Sequence, residues 1–581
     1  MKAILFVVLL AQLASASIRA GAAQVDVSPT WFPVTVNCFT LERQASQMVS
    51  PIFAKALVLE QGGTKVAIAV IDSCMIPREL LDEAKLSVQK STGIPVNRQL
   101  ISATHTHMAP AAMSCLGSDV DERYAAWLPG KIAEAIIAAN KRLEPAKLGN
   151  ASQKDTEHTF VRRFIYLPDR MLTDPFGKKS VRANMHPGYE NPDAVGPSGP
   201  ADHTLTVLAI QSLSGKPIAM LANYSMHYFN DKPISSDYFG TFAKMFTERI
   251  QAPKDYVTIL SQGTAGDMMW MDYSKPVIPN YTLEAYTKGI VDTAERAYRQ
   301  VSYDVNPRLN MAEVEEEFQR RAPDAERIAW ANSIVPGIGD RKSKTQIEVY
   351  AREVGHILKS PSRKLKLQAL RIGDLGIASW PNEVFSISGL KLREATTLRN
   401  FMNISLANGA EGYIPPPEQH LLGGYTTWLA RTASLVPTAE PRMVEIHKQL
   451  MQKLDPKLQF RSRSAQKNYW PLDDLADNPE LVIEGLHAFA VPGRQGTTSR
   501  ALYLAGASLN IKQDAKLYKL DYWIWPAVTR KWIHIRIEQN ATSRRTFTND
   551  ELTSETAPLP TLEVIRDFEG AVAEVRLEEH K

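Results

Sequence analysis

"RQLISATHTHMAPAAMSC" (Arg98–Cys115) starts as an apolar run, sets two histidines one residue apart, His105 and His107, and turns at Pro110. The run up to Ala103 has the length and apolar content of a buried strand. On an extended backbone, residues two apart point to the same side, so both imidazoles should face one place just beyond the strand end. In α/β sheets, ligand sites gather outside the carboxyl ends of the strands.

The rest of the chain fits that frame. "KVAIAVIDS" (65–73) reads as a buried strand, and "ELLDEAKLSVQKSTG" (79–93) as a helix ending near Gly93. "DERYAAWLPGKIAEAIIAANKRL" (121–143) is a helix expected to be disturbed at Pro129. "PIAMLANYSMH" is a strand ending at His227, "YVTILSQGTAGD" (256–267) a strand entering a Gly-rich turn, and "LEAYTKGIVDTAERAYRQ" (283–300) an amphipathic helix. "LKLQALRIGDLGIASWPNE" (365–383) is a hairpin turning at Gly373-Asp374 and ending at Glu383. Asp169–Asp202, rich in Pro, Gly and Asn, reads as a long loop of the kind that shapes a site. After the helix "RMVEIHKQLMQKL" (442–454), short alternating runs such as "KLYKLDYWIWPAV" and "KWIHIRIEQ" suggest a small all-β domain. The expected architecture is mixed α/β: a signal segment over 1–19, a large α/β domain over 20–455 and a β-rich domain over 480–581. No internal repeat is visible.

At 581 residues the chain is too long for one core. Its formal charge of +4 is not gathered into any basic block, which argues against nucleic acid or an anionic membrane surface as partner. "MKAILFVVLLAQLASAS" pairs Lys2 with a mostly apolar run and Ala14-Ser15-Ala16, the pattern of a secretory signal cut after Ala16, with Ala20 or Ala23 as alternatives. The run is short for a bilayer span, so an exported, soluble mature chain is expected, starting between about Ser17 and Gln24. Cys38, Cys74 and Cys115 give no disulfide framework. Cys74 reads as a buried thiol. One disulfide among the three remains open, with its pairing unread.

His105, His227 and Glu383 each sit at or just past a strand end. Two histidines and a carboxylate, with a position left for water, are a common catalytic zinc set. One imidazole of the pair could hold metal while the other faces substrate. Taken singly, each residue has a plainer role as a hydrogen-bonded histidine or a surface carboxylate. "HTHMAPA" lacks the Asp and His that a metallo-β-lactamase-like site would place there; an amidohydrolase barrel starting with His-x-His stays open, although such a barrel wants more regular strand–helix alternation than this chain shows.

Six segments in order resemble the catalytic domain of the neutral/alkaline (non-lysosomal) ceramidases and their bacterial relatives. They are "AGAAQVDVSP", "ISATHTHMAPAA", "NYSMHYFNDKPISSDYFG", "SQGTAGD", "WPNEVFSISGLKLRE" and "LANGAEGYIPPPEQHLLGGYTTW", spanning about 20–430. The resemblance implies one Zn2+ held by His105, His227, Glu383 and Tyr413, with His107 beside a zinc-activated water. It implies an arginine near the substrate, Arg162 or the adjacent Arg163 of "FVRRF", and Tyr425 as donor to the developing oxyanion. Zinc lowers the pKa of bound water to roughly 7, and an oxyanion donor is worth roughly 3 kcal/mol.

The sequence also departs from the family pattern. Met269 stands where the family carries a serine proposed for its active site, Met108-Ala109 replace the Ser-Gly after the histidine pair, and His420 stands at a family tyrosine. The methionines and Trp270 could line an apolar pocket or belong to the core. The reading is an exported zinc hydrolase cleaving the amide of an N-acyl lipid, ceramide or a relative. The alternatives are a different acyl, ester or glycosidic substrate, or a non-catalytic lipid- or glycan-binding protein. The implied partner is a small amphipathic or acylated molecule. No transmembrane span is expected, contact with a membrane would be peripheral, and the oligomeric state is unread.

Overall fold

The computed structural model describes residues 17–460, except 37, 167–169 and 421, and the backbone of eight strands between 482 and 578. The signal segment before Ser17 lies outside the described residues. Ile18 is buried, and the first strand already begins at Arg19. A cut after Ala16 therefore leaves that strand whole, whereas cuts after Ala20 or Ala23 would remove part of it.

An eight-stranded sheet contains β1 (Arg19–Asp26), β2 (Phe53–Gln61), β3 (Thr64–Ile71), β4 (Gln99–Ala103), β5 (Glu144–Lys154), β6 (Thr204–Ser212), β7 (Pro217–Tyr224) and β8 (Val257–Gln262). Their order is β8-β7-β6-β5-β1-β2-β3-β4. Neighbours are antiparallel except β3/β4 and β7/β8, which are parallel. A parallel pair needs a crossover, supplied by helices α1 (Arg78–Thr92) and α3 (Asp237–Arg249); α2 (Glu122–Lys141) and α4 (Leu283–Tyr298) follow β4 and β8. A second sheet, β9 (Leu309–Gln319), β10 (Ser362–Ile372), β11 (Leu375–Ser379) and β12 (Asn400–Ile404), has the same signs: two antiparallel pairs, then a parallel β11/β12 pair. Its crossover is α7 (Ser386–Ala395) and its closing helix α8 (Ala439–Leu454), with α5 (Ala325–Ile338) and α6 (Gln346–Lys359) inserted after β9.

Residues 19–454 thus contain three copies of one β-β-β-α-β-α unit, beginning at β1, β5 and β9. The period-two alternation of each strand divides its side chains between two layers. One layer is common: Leu57 and Ile68, Leu208 and Leu221, and Leu370 and Ile377 belong to a single core cluster at the centre. The other faces are covered separately, by α1 and α2, by α3 and α4, and by α7 and α8. The eight-stranded sheet must therefore fold back on itself, and the third unit closes the remaining side. The carboxyl ends of all three parallel pairs then meet at one end of the central core.

Four expectations change. α2 runs through Pro129 without a break. Cys74 is not a free thiol but is disulfide-bonded to Cys38, and Cys115 remains a buried free thiol. Asp169–Asp202 is more regular than a loop: Leu172–Thr173 pairs with Lys179–Val181, and Ala183–Met185 and Ala194–Pro197 flank Arg163–Tyr166 in a small sheet. The repeat escaped the sequence because it is topological. Beyond residue 460 the described backbone is strand only, two hairpin-like pairs and a four-stranded sheet over 519–578, and the segments between these strands lie outside the described residues. No described helix is long and apolar enough to cross a membrane.

Candidate metal centre

β4 ends at Ala103, so His105 is not on extended backbone. It has φ +73°, in the left-handed region that costs a non-glycine residue energy. Its amide donates to Ser73 O at 2.9 Å, fixing it to the end of β3. The sharp turn still brings the pair together: His105 Nε2 and His107 Nε2 are 3.1 Å apart. The expected convergence holds, for a different backbone reason.

His227 follows β7 of the second unit. Its Nε2 lies 3.1 Å from His105 Nε2, and Glu383 of the third unit brings Oε2 to 3.2 Å from His105 Nε2 and 3.8 Å from His227 Nε2. All three side chains are buried. His105 Nδ1 faces Cys74 O at 3.0 Å, and His227 Nδ1 faces Ala265 O at 2.9 Å. A carbonyl can only accept, so each Nδ1 carries the proton and each Nε2 presents its lone pair to the other. Burial, then Arg162 and the other two histidines, holds His227 well below the usual histidine range. Among the described residues, Glu383 Oε2 has no hydrogen-bond donor.

Two opposed imidazole lone pairs beside an unpaired buried carboxylate oxygen repel one another. Arg162 Nη2 donates to His227 Nε2 at 3.0 Å and the neutral His107 can donate from Nε2 to His105 Nε2 at 3.1 Å, which leaves the carboxylate oxygen unanswered. A divalent cation answers all three, and the donor set of two nitrogens and one oxygen suits zinc. His105 and His227 each already donate their second nitrogen to a backbone carbonyl, an arrangement of the kind that orients metal-binding histidines.

The fourth implied ligand is held next to Glu383. The short strands Glu383–Val384 and Tyr413–Ile414 run parallel with Glu383 opposite Tyr413. The Tyr413 hydroxyl hydrogen-bonds the Glu383 carboxylate, and burial followed by that charge pushes its pKa well above the ordinary tyrosine value. Without a cation, Tyr413 is therefore a phenol. Two glycines permit this packing. A Cβ on Gly266 would meet Glu383 O at 2.8 Å, and one on Gly412, at φ +71°, would meet Thr432 O at 2.2 Å. Asp267 completes the clamp: its carboxylate accepts from Ser386 N at 2.7 Å and Ser386 Oγ at 3.1 Å, and burial pushes its pKa up to about 6. The Gly-Asp turn positions Glu383.

The adjacent arginines separate. Arg162 Nη2 also donates to Gly266 O at 3.0 Å and Tyr413 Oη at 3.3 Å, inside the site. Arg163 points the other way, to Gln419 and to Gly423 O at 2.6 Å, pinning the 419–423 segment. His107 stacks on Tyr228 at 3.8 Å between centroids, and burial, ahead of His105 and Arg162, holds its pKa well below the usual range. Tyr425 packs edge-on against Tyr413 at 5.7 Å. Sequence reasoning missed Tyr228, although it directly follows His227. It also missed His186, whose Nε2 is 3.4 Å from Arg162 Nη1 and whose Nδ1 meets the Tyr273 hydroxyl. Met269 and Trp270 both belong to the buried cluster under α3 and α4. His420 ends the one-turn helix Pro417–His420, on the segment that Arg163 holds.

No known protein-family profile matches the sequence. Among solved structures, the fold is similar to that of a neutral ceramidase from Pseudomonas aeruginosa, with a TM-score of 0.57 and 14% identity over 88% of this chain and 84% of that one. It is equally similar to a ceramidase complexed with C2, at a TM-score of 0.57 and 13% identity over 97% of this chain and 98% of that one. The likeness is one of fold.

Proposed function

We propose that this chain is an exported, zinc-dependent hydrolase that cleaves the amide bond of an N-acyl lipid, ceramide or a close relative. The observation that carries the reading is the unpaired Glu383 carboxylate oxygen facing two unprotonated imidazole nitrogens, with His107 and Arg162 beside them. The set includes no cysteine thiolate, unlike most closed structural zinc sites. His105, His227, Glu383 and Tyr413 hold the metal. A bound zinc supplies a water that ionises near neutral pH and polarises the scissile carbonyl.

The chain's own groups do the rest. His107, kept neutral by burial, takes a proton at its free ring nitrogen and returns it to the leaving amine. Stacking on Tyr228 fixes the plane of that ring. Tyr425 donates its hydroxyl to the developing oxyanion. Arg162 orients His227 and a polar group of the substrate. No step needs a serine on the Gly-Asp turn, so Met269 is compatible with turnover.

The changes at Met108, Ala109 and His420 support a second reading for the substrate alone, another acyl or ester compound. Contact with a membrane would be peripheral, and we keep 20–455 and 480–581 as proposed domains. The test is a panel of N-acyl lipids, N-acyl amino acids and esters, assayed with chelator and with zinc restored. Hydrolysis lost to chelator and recovered with zinc is expected. Undiminished hydrolysis in metal-free protein would overturn the mechanism, and inertness toward the whole panel would favour a binding protein.

A further inference from the structure

His105 is flanked on both ring nitrogens. Its Nε2 faces His227 and Glu383 at 3.1 and 3.2 Å, while its Nδ1 lies 3.6 Å from Cys74 Sγ. Cys74 is bonded to Cys38, which is partly exposed, whereas Cys74 is buried. His107 joins from the next turn: one ligand atom each from Cys38, Cys74, His105 and His107 lies within 4.8 Å of all the others. The buried Nδ1 of His107 has no hydrogen-bond partner among the described residues. In a tetrahedral zinc site with bonds of about 2.0–2.3 Å, ligand atoms are about 3.3–3.8 Å apart. The four residues are thus within about an ångström of a Cys2His2 site, and the bond between the two sulfurs is what prevents one.

We infer that the Cys38–Cys74 disulfide masks a second metal site, formed by Cys38, Cys74, His105 and His107 after reduction, that competes with the first for His105. Two thiol reductant molecules convert the disulfide to two cysteine thiols and leave as their own disulfide, a two-electron exchange. Each thiol then loses its proton to solvent on taking the ion. A neutral imidazole coordinates through one nitrogen at a time. Binding through His105 Nδ1 breaks its bond to Cys74 O and moves the ring proton to Nε2, which removes it as a ligand beside His227 and Glu383. Soft thiolates favour zinc, cobalt and cadmium over magnesium or calcium. Four protein ligands leave no place for water, so the reduced, metal-loaded state is catalytically closed. The loss of hydrolysis rests on the proposed function; the second site itself does not.

Cobalt(II) separates the two claims. Metal-stripped full-length protein is titrated with cobalt either oxidised or after reduction by a water-soluble phosphine. The reduced protein should show a near-ultraviolet thiolate-to-cobalt charge-transfer band that saturates at one equivalent and bleaches on reoxidation, and the oxidised protein should not. Cys38→Ser, or reduced wild type alkylated at its thiols should that variant fail to fold, should lose the band. His227→Ala should keep it. With zinc, reduction should lower hydrolysis at least tenfold. Cobalt uptake by reduced protein without the band would overturn the inference, as would a disulfide that resists reductant in the folded chain. A band in protein that hydrolyses nothing in either state would sink the proposed function and leave the second site standing.

Discussion

Replacing Glu383 by Gln should move stability in opposite directions without and with metal. Glu383 Oε2 is buried, has no donor among the described residues, and sits 3.2 Å from His105 Nε2, whose lone pair faces His107 Nε2. An unsatisfied buried polar group costs about 1–3 kcal/mol, more when charged. Glutamine has the same shape and puts a neutral amide where the unsatisfied charge stood, while its oxygen still accepts from Tyr413. Metal-free Glu383→Gln should therefore be more stable than metal-free wild type by about 1–3 kcal/mol. With zinc the balance shifts back toward the wild type by about 2.6 kcal/mol or more, which reverses the order for any smaller metal-free gain. At a free concentration 1,000 times Kd, the wild type gains about 4 kcal/mol. A hundredfold loss of affinity, the upper end for outer-sphere changes and a floor for a lost ligand, cuts that gain to about 1.4 kcal/mol. The assay is chemical or thermal unfolding of chelator-stripped protein, with and without buffered zinc, beside zinc affinity from competition with a chromophoric chelator. A metal-free variant less stable than metal-free wild type, or one that gains as much from zinc, would refute the claim that the carboxylate waits for a cation.

His107→Ala should retain zinc stoichiometry while kcat falls about 10²–10⁴-fold, checked by metal analysis beside steady-state kinetics. Arg162→Ala should lower kcat/KM with little change in unfolding midpoint, whereas Arg163→Ala, which unties Gln419 and Gly423, should lower the midpoint first. Met269→Ser should leave turnover zinc-dependent and free of a trappable acyl-enzyme, because the position is core; hydrolysis in oxygen-18 water checks it. Lys85 is buried against Asn408 Oδ1, and burial, ahead of the opposing pull of Glu313, lowers its pKa from 10.5 to about 8. Between those values the unfolded chain binds more protons than the folded one, so stability should rise with pH across that window. The penalty is fully present below about pH 8, where it amounts to about 3 kcal/mol. The difference between wild type and Lys85→Met in urea midpoints at pH 7 and pH 10 measures it.

What the sequence discloses and what it hides follow from the same physics. His105, His227 and Glu383 stand out because short apolar runs end in residues with no reason to be there unless something lies beyond the strand. Tyr413 sits among prolines with no periodic signal, and nothing local says that it pairs opposite Glu383. Arg162 and Arg163 cannot be ranked by composition; the alternation of an extended segment sends one into the site and the other into the 419–423 turn. The distance between His105 and His227, 122 positions apart in sequence, depends on the coil of an eight-stranded sheet. Register and twist set that coil, and neither is written in hydropathy. The disulfide went unread because Cys74 sits in an apolar context that suits a thiol equally well.

The threefold repeat explains why so few side chains suffice to build the centre. Each unit ends a parallel strand pair at the same end of the core, so any residue a few positions past such a strand is delivered near the others. The side chains of the centre are then oriented mainly by main-chain groups. Cys74 O and Ala265 O fix the two imidazoles, Ser73 O fixes the His105 turn, and Gly412 O accepts from Glu383 N at 2.8 Å. Carbonyl acceptors persist whatever side chain their residues carry, provided the backbone path is kept. The demands that do reach the side chains are steric, as at Gly266 and Gly412, or electrostatic, as in the Asp267–Ser386 clamp. On this argument, substitutions across the three outer helical layers should alter stability while leaving the convergence of His105, His227 and Glu383 intact. Adding one methyl group at Gly412 would drive the strand carrying Tyr413 away from Thr432 and spoil the centre without touching a ligand.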